Sequence, residues 1–253
     1  RSDYDKATAG FSNVLDECQN HGRLTQERSC YENRLHVTEC YNDLVDCRLV
    51  IECVIEDLTI KKNIYKAITA VVSPTTVIGT NTSAIPISLL QTFVEHPERF
   101  LGIHWAEPAY LTRFLEVVCG DQTAITLAQW VANLAVHWGK EPTLLRRDIR
   151  GFITNRLMYA VYREIFHLIE QVGASCEALD KVARYDTGSW MTLMGVFRKA
   201  DLDGANDFLY MLENLMPHLA TTKQVPLIMQ DVVATHKNGI YNQLEKRRVQ
   251  MIG

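Results

Sequence analysis

The sequence predicts an α/β domain followed by an all-helical domain. Three observations carry this prediction. Up to residue 147, short apolar runs of strand type alternate with amphipathic helical stretches, the order expected of strands joined by helices. The strand-type runs are nearly continuous in apolar residues, as strands buried on both faces of a parallel sheet are. From residue 148 onward the apolar period settles at 3.6 and stays there. The boundary between the two domains falls in Arg146-Arg147-Asp148-Ile149-Arg150-Gly151, a charged connector.

The first domain opens in helical text. Over 4–19, Phe11, Val14, Leu15 and Cys18 recur at helical spacing, with Asp3 and Asp5 where a helix start favours acids. Gly22 stops this helix, and Thr25, with Glu27 nearby, is placed to cap a short second one. Residues 35–38 read as a short strand, 41–45 as a helical turn and 47–53 as a buried strand. A helix over 60–72 ends at Pro74 and a strand follows over 76–80. Thr82 or Ser83 can cap the helix carrying Ile87, Leu89 and Leu90. The aromatic and β-branched runs over 100–108 and 114–118 make two more strands. A helix over 122–138 turns Leu127, Trp130, Val131 and Leu134 inward, and 142–145 is a last strand. In the second domain, helices are predicted over 152–172, 176–185, 207–219 and 227–233, with a break at Asp186-Thr187-Gly188-Ser189. Lys246-Arg247-Arg248 reads as a solvated end.

Composition bounds the function. With 253 residues, 47% hydrophobic and 22% charged, the chain has the make-up of a globular protein with ample core. A formal net charge of −4 argues against a general nucleic-acid or anionic-membrane binder, and no apolar run approaches the roughly 20 residues that span a bilayer. The seven cysteines form no Cys-x-x-Cys pair, which fits free thiols in a reducing compartment such as the cytoplasm. Cys40, Cys47 and Cys53 lack the spacing of the common zinc ribbons, so no metal is expected.

One pair of residues carries chemistry. His104 ends one strand and Glu116 lies in the middle of the next, where the two side chains can stand side by side. A carboxylate in that position fixes the imidazole tautomer and stabilises imidazolium, leaving the other ring nitrogen to take a proton near neutral pH. Taken alone, the local pattern favours a packed core histidine beside an unrelated glutamate. The surrounding text shifts that balance.

Four blocks stand in one order along the chain. They are Val50-Ile51-Glu52-Cys53-Val54-Ile55-Glu56-Asp57-Leu58 with Lys61 behind it, Thr80-Asn81-Thr82-Ser83, Gly102-Ile103-His104 leading to Pro108 with Glu116 beyond, and Gly151-Phe152-Ile153-Thr154-Asn155-Arg156. Together they resemble the L-3-hydroxyacyl-CoA dehydrogenase family. Two positions depart from its pattern: Glu107 stands where the family has Asn before Pro, and Met194-Gly195-Val196-Phe197 where it has Met-Gly-Pro-Phe. The segment Lys237-Asn238-Gly239-Ile240-Tyr241 is similar to the family's closing turn.

The resemblance implies a Rossmann-type NAD-binding domain over 1–147 that lacks its first β-α unit and Gly-rich phosphate turn. The chain is therefore expected to be a fragment, or to have lost a leading segment. A helical domain over 148–253 would form a homodimer interface. It further implies NAD as cofactor and a 3-hydroxyacyl-CoA as substrate. By resemblance, His104 is the base, Glu116 orients it, and Ser83 and Asn155 hold the reacting oxygen. Glu56 and Lys61 stand beside the cofactor ribose and nicotinamide, and Asn81 near the nicotinamide or substrate. Glu56 and Lys61 fit a solvated first helical turn equally well. The arginines of the connector could meet a CoA phosphate or simply be solvated. Gly188-Ser189-Trp190-Met191 resembles the substrate-facing loop, its bulky residues implying a different acyl pocket, although Met and aromatic residues at this spacing also suit an ordinary core. The two departures leave open a non-CoA 3-hydroxy acid of carnitine or gulonate type, and a non-catalytic relative that keeps the scaffold.

Overall fold

The structure, a computed structural model, describes residues 3–234, 240, 241 and 244. The chain divides into two compact units, Arg1–Phe152 and Ile153–Gly253. In the first unit five strands form one sheet in the order β1 (Leu49–Glu52), β2 (Val77–Thr80), β3 (Phe100–Trp105), β4 (Phe114–Cys119) and β5 (Glu141–Leu145). The first three are parallel, β4 runs antiparallel to β3, and β5 is parallel to β4. Helices α1 (Asp3–Asn20) and α2 (Arg28–Glu32) precede the sheet. Helices α3 (Leu58–Thr69), α4 (Ile87–Gln91) and α5 (Ile125–His137) are interleaved with its strands.

Period-2 alternation along the strands sorts the core into two faces. On one, Leu101, Ile103, Leu115, Val117 and Cys119 pack against Ala128, Val131, Ala132 and Ala135 of α5. On the other, Ile78, Phe100 and Val118 pack against Tyr65 and Ile68 of α3, Ile87 and Leu90 of α4, and Phe152. Both faces are covered, which is why the strands read as continuous apolar runs. A Cβ at Gly79 would stand 2.4 Å from Ile103 Cδ1, so only glycine admits that side chain across the β2–β3 pair.

Local expectations differ from the structure at several places. Residues 35–38 form no strand; Leu35 is exposed and no neighbouring strand takes up the segment. Thr25 does not cap α2: its hydroxyl pairs with Tyr31 Oη at 3.0 Å, and Glu27 occupies the cap without a side-chain bond. Helix α4 starts behind Pro86 rather than at Ser83, and the carboxylate of Asp148 receives Ser88 N–H at 2.7 Å in its first turn. Of the four α5 residues expected to face inward, Val131 is fully buried beside Ala128, Ala132 and Ala135, Leu127 and Trp130 pack partly buried against this cluster, and Leu134 is only half-buried.

Arg99 shows how the sheet's amino-terminal edge is held. Buried before β3, its guanidinium donates to the carbonyls of Ser73 (2.8 Å) and Thr76 (2.6 Å), tying the loop before β2 to the start of β3. Burial disfavours its charge and pushes its pKa down. Arg99→Leu strips donors from both carbonyls and is expected to cost about 2 kcal/mol, read as a lower denaturant midpoint at unchanged slope.

The second unit is helical: α6 (Thr154–His167), α7 (Cys176–Val182), α8 (Gly188–Met194), α9 (Val196–Asp203), α10 (Ala205–Leu215) and α11 (Leu227–Ala234). The expected break at 186–189 is absent, since a π-helical turn, Ala183–Thr187, joins α7 to α8 without interruption. Gly188 keeps helical φ, and Ser189 Oγ and Thr192 Oγ1 bond back to the carbonyls of Arg184 and Gly188. The chain turns instead at Gly195, where φ is +78°. Residues 188–197 are accordingly two helices rather than a loop. The long helix begins at Thr154, two residues later than the apolar period suggests, because Phe152 has left-handed φ and belongs to the first unit. Lys246, Arg247 and Arg248, and Lys237 to Gly239 of the closing turn, lie outside the described residues.

Candidate functional site

The carboxyl ends of β1, β2 and β3 lie along one edge of the sheet, the edge at which open α/β sheets bind ligands. Strand register places Glu52 beside Thr80, Thr80 beside Gly102, and His104 beside Glu116. By alternation Glu52, Thr80, His104 and Glu116 all project to the face that carries Tyr65 and Phe152.

His104 and Glu116 meet across this antiparallel pair, Nδ1 to Oε2 at 2.6 Å. His104 is 8% exposed and Glu116 fully buried. An ionised carboxylate only accepts, so Nδ1 carries the proton and Nε2 presents a lone pair. Nε2 makes no hydrogen bond with a described residue. Phe152 packs its ring against the imidazole, centroids 5.5 Å apart at 62°. Immediately after His104, Trp105 N–H donates to Asn81 Oδ1 at 3.1 Å, which joins the loop after β2 to the end of β3. The Trp105 ring stacks on Trp138 at 5.4 Å, and Lys140 Nζ lies 5.2 Å over it while donating to the carbonyls of Ala109 and Thr112. These contacts pin the segment that leaves β3.

A second buried cluster stands at the end of β1. Glu52 accepts from Lys61 Nζ at 2.9 and 3.0 Å, Tyr65 Oη at 2.7 Å, Thr80 Oγ1 at 2.7 Å and Val54 N–H at 2.6 Å. Burial, reinforced by Glu52, pushes the Tyr65 phenol far above its ordinary pKa and keeps it a donor. Asp57 caps α3 by receiving Thr59 and Ile60 N–H, which sets Glu56 just outside the helix and Lys61 one turn inside. Glu56 accepts from Thr82 Oγ1 at 2.8 Å and Ser83 N–H at 2.6 Å, and its carboxylate lies 3.7 Å from Lys61 Nζ. Lys61 thus bridges the two glutamates. It is 1% exposed, and its three donors are met by the two Glu52 oxygens and the Val54 carbonyl. Contact between its ammonium and a ligand therefore requires it to exchange one of these partners.

The edge brings together His104, Glu116, Asn81, Ser83, Glu56 and Lys61. Asn155 lies in the first turn of α6, in the second unit. Sequence reasoning assigned no role to Glu52, Tyr65, Thr80 or Phe152, and gave Thr82 only that of a helix cap. A usable signal was present for Glu52, a lone charge ending an apolar strand, which must be paired if buried.

The half-exposed Glu56 carboxylate, positioned by Thr82 and Ser83 with acceptor capacity to spare, fits the ribose hydroxyls of a dinucleotide. A Gly-x-Gly-x-x-Gly pyrophosphate turn occurs nowhere in the 253 residues. The residues present therefore fit a ribose of such a cofactor.

Comparisons with known proteins identify the family of both units. Residues 1–149 match the NAD-binding domain of 3-hydroxyacyl-CoA dehydrogenase, and residues 151–243 match its C-terminal domain. A 5-formyl-3-hydroxy-2-methylpyridine 4-carboxylate 5-dehydrogenase of Mesorhizobium japonicum is 30% identical over 76% of this chain and 62% of its own length. An L-carnitine dehydrogenase of Oceanobacillus iheyensis is 31% identical over 80% of this chain and 70% of its own. The crystal structure of (S)-3-hydroxybutyryl-CoA dehydrogenase from Ralstonia eutropha superposes with a TM-score of 0.73 at 26% identity, covering 93% of this chain and 83% of that one. The matched nucleotide domain makes NAD the cofactor. With both of its domain signatures matched in order over almost the whole sequence, the chain belongs to the 3-hydroxyacyl-CoA dehydrogenase family.

Proposed function

We propose that the protein is an NAD-dependent dehydrogenase acting on the C3 hydroxyl of a 3-hydroxyacyl-CoA. The observation that carries this is the 2.6 Å His104–Glu116 bond, which holds Nε2 as a proton acceptor at the ligand-binding edge of the sheet. NAD, when bound, supplies the hydride acceptor. In the oxidation direction His104 Nε2 takes the hydroxyl proton, and Glu116 offsets the charge that forms on the imidazole. Ser83, on the loop that Glu56 fixes, holds the reacting oxygen, and Asn155 is assigned the same task on the strength of its motif. Asn81 orders the edge beside the nicotinamide, while Glu56 and Lys61 serve the ribose. A homodimer is part of the proposal: the second unit exposes Leu157, Tyr159, Tyr185, Leu193 and Phe197, more apolar surface than a lone unit ordinarily leaves to water.

A second reading is a 3-hydroxy acid without CoA. Glu107, exposed three residues after His104, makes no hydrogen bond or ion pair with a described residue. A carboxylate there disfavours a polyanion such as CoA and favours a cationic substrate such as carnitine. The intact protein incubated with NAD and, in parallel, 3-hydroxybutyryl-CoA, carnitine and gulonate separates the readings by the absorbance of reduced cofactor. Turnover of the thioester is the expected result. Preference for carnitine or gulonate selects the second reading, and no reduction with any of a full series of 3-hydroxy compounds sinks both.

A further inference from the structure

The His104 imidazole bonds to Glu116 through Nδ1 and packs against the Phe152 ring. Glu116 fixes Nδ1, but a single hydrogen bond leaves the imidazole free to tilt, because the outer torsion of histidine is broad. Phe152 packs its ring against the imidazole, and its backbone is unusual. Gly151 has φ +80° and Phe152 φ +50°, so two successive left-handed residues reverse the chain at the end of the first unit. A side chain in that region is strained, and such strain persists only where the surroundings enforce it.

Here the enforcement is visible. The carboxylate of Asp148 grips Ser88 through N–H at 2.7 Å and Oγ at 2.9 Å, anchoring the connector to α4. Phe152 N–H donates to the Ile149 carbonyl at 2.9 Å, closing the turn. The ring is then fully buried among Tyr65, Ile87, Phe100 and Val118, with the His104 imidazole beside it. Glycine would remove the strain but leave a ring-sized void against the imidazole. The ring thus fills core space that borders the imidazole directly.

We propose that Phe152 is a positioning residue: its ring, driven onto the sheet face by the left-handed turn, fixes the plane of the His104 imidazole and so the direction in which Nε2 takes a proton. This rests on the reading of His104 as the proton acceptor. Phe152→Leu keeps apolar volume but loses the flat ring, so it lowers kcat about tenfold while KM for NAD and for the hydroxy substrate stays unchanged. In the His104→Gln background the same substitution causes no further loss, which a purely structural role cannot mimic. Should Phe152→Leu fail to fold by circular dichroism, Phe152→Met carries the same readings.

A normal kcat in the Leu and Met variants, or an equal loss with and without His104, overturns the proposal. The two readings fail separately. If His104→Gln retains turnover, the base assignment goes and Phe152 goes with it; if His104→Gln is inactive and Phe152→Leu is normal, only Phe152 is misassigned.

Discussion

His104→Gln is expected to lower turnover by about 100- to 10,000-fold, the range that a positioned acid–base group contributes. The fold survives the change, because glutamine keeps a donor within reach of Glu116 and replaces a side chain at the margin of the core rather than in its centre. Steady-state kinetics beside a thermal melt separates the two effects. Glu116→Gln is expected to cost less, since the amide oxygen can still accept from Nδ1 while the compensating charge is lost. A Glu116→Gln variant slower than His104→Gln would mean that the carboxylate, not the imidazole, performs the chemistry.

Glu52→Gln is expected to have the largest effect on stability. Lys61 is 1% exposed and pairs with Glu52 at 2.9 Å, while its second carboxylate, Glu56, is 3.7 Å away. Removing the nearer charge leaves a buried ammonium poorly compensated, a loss of about 3–5 kcal/mol. The melting point then falls by roughly 10 °C. Lys61 is left to draw on Glu56, which loosens the hold of Glu56 on Thr82 and Ser83 and so lowers activity as well. Replacing both members, Glu52→Leu with Lys61→Met, removes the uncompensated ammonium but recovers only that part of the loss, because Tyr65 Oη, Thr80 Oγ1 and Val54 N–H still lose their acceptor. If Glu52→Gln melts with the wild type, the pair is not buried as described.

Much of the fold was legible in the sequence because burial leaves a period. Strands covered on both faces show as unbroken apolar runs, and the helical unit shows a 3.6 repeat, so the element order could be set out. Residues 35–38 had the pattern of a strand but no sheet edge to join, which no local reading can reveal. The helix through Gly188 was missed for the opposite reason. Glycine and serine signal a break locally, yet the π-helical turn runs on through Gly188, and the hydroxyls of Ser189 and Thr192 bond back to the carbonyls of Arg184 and Gly188.

The candidate site divides along the same line. His104 and Glu116 were legible as neighbours because each sits on a strand with a clear register. Glu52 and Phe152 were in view within two of the quoted blocks, but nothing local marks a buried charge as the hub of five hydrogen bonds, or a phenylalanine as left-handed. Those properties arise only when α3 and the connector close onto the sheet.

The claim on which the rest depends is that Glu116 holds His104 with its proton on Nδ1 and an open lone pair on Nε2. Long-range proton–nitrogen NMR of the imidazole in its neutral form reads this directly. The account predicts the Nδ1–H tautomer in the intact protein and a mixture of tautomers in Glu116→Gln. A spectrum showing Nε2–H in the intact protein would contradict it.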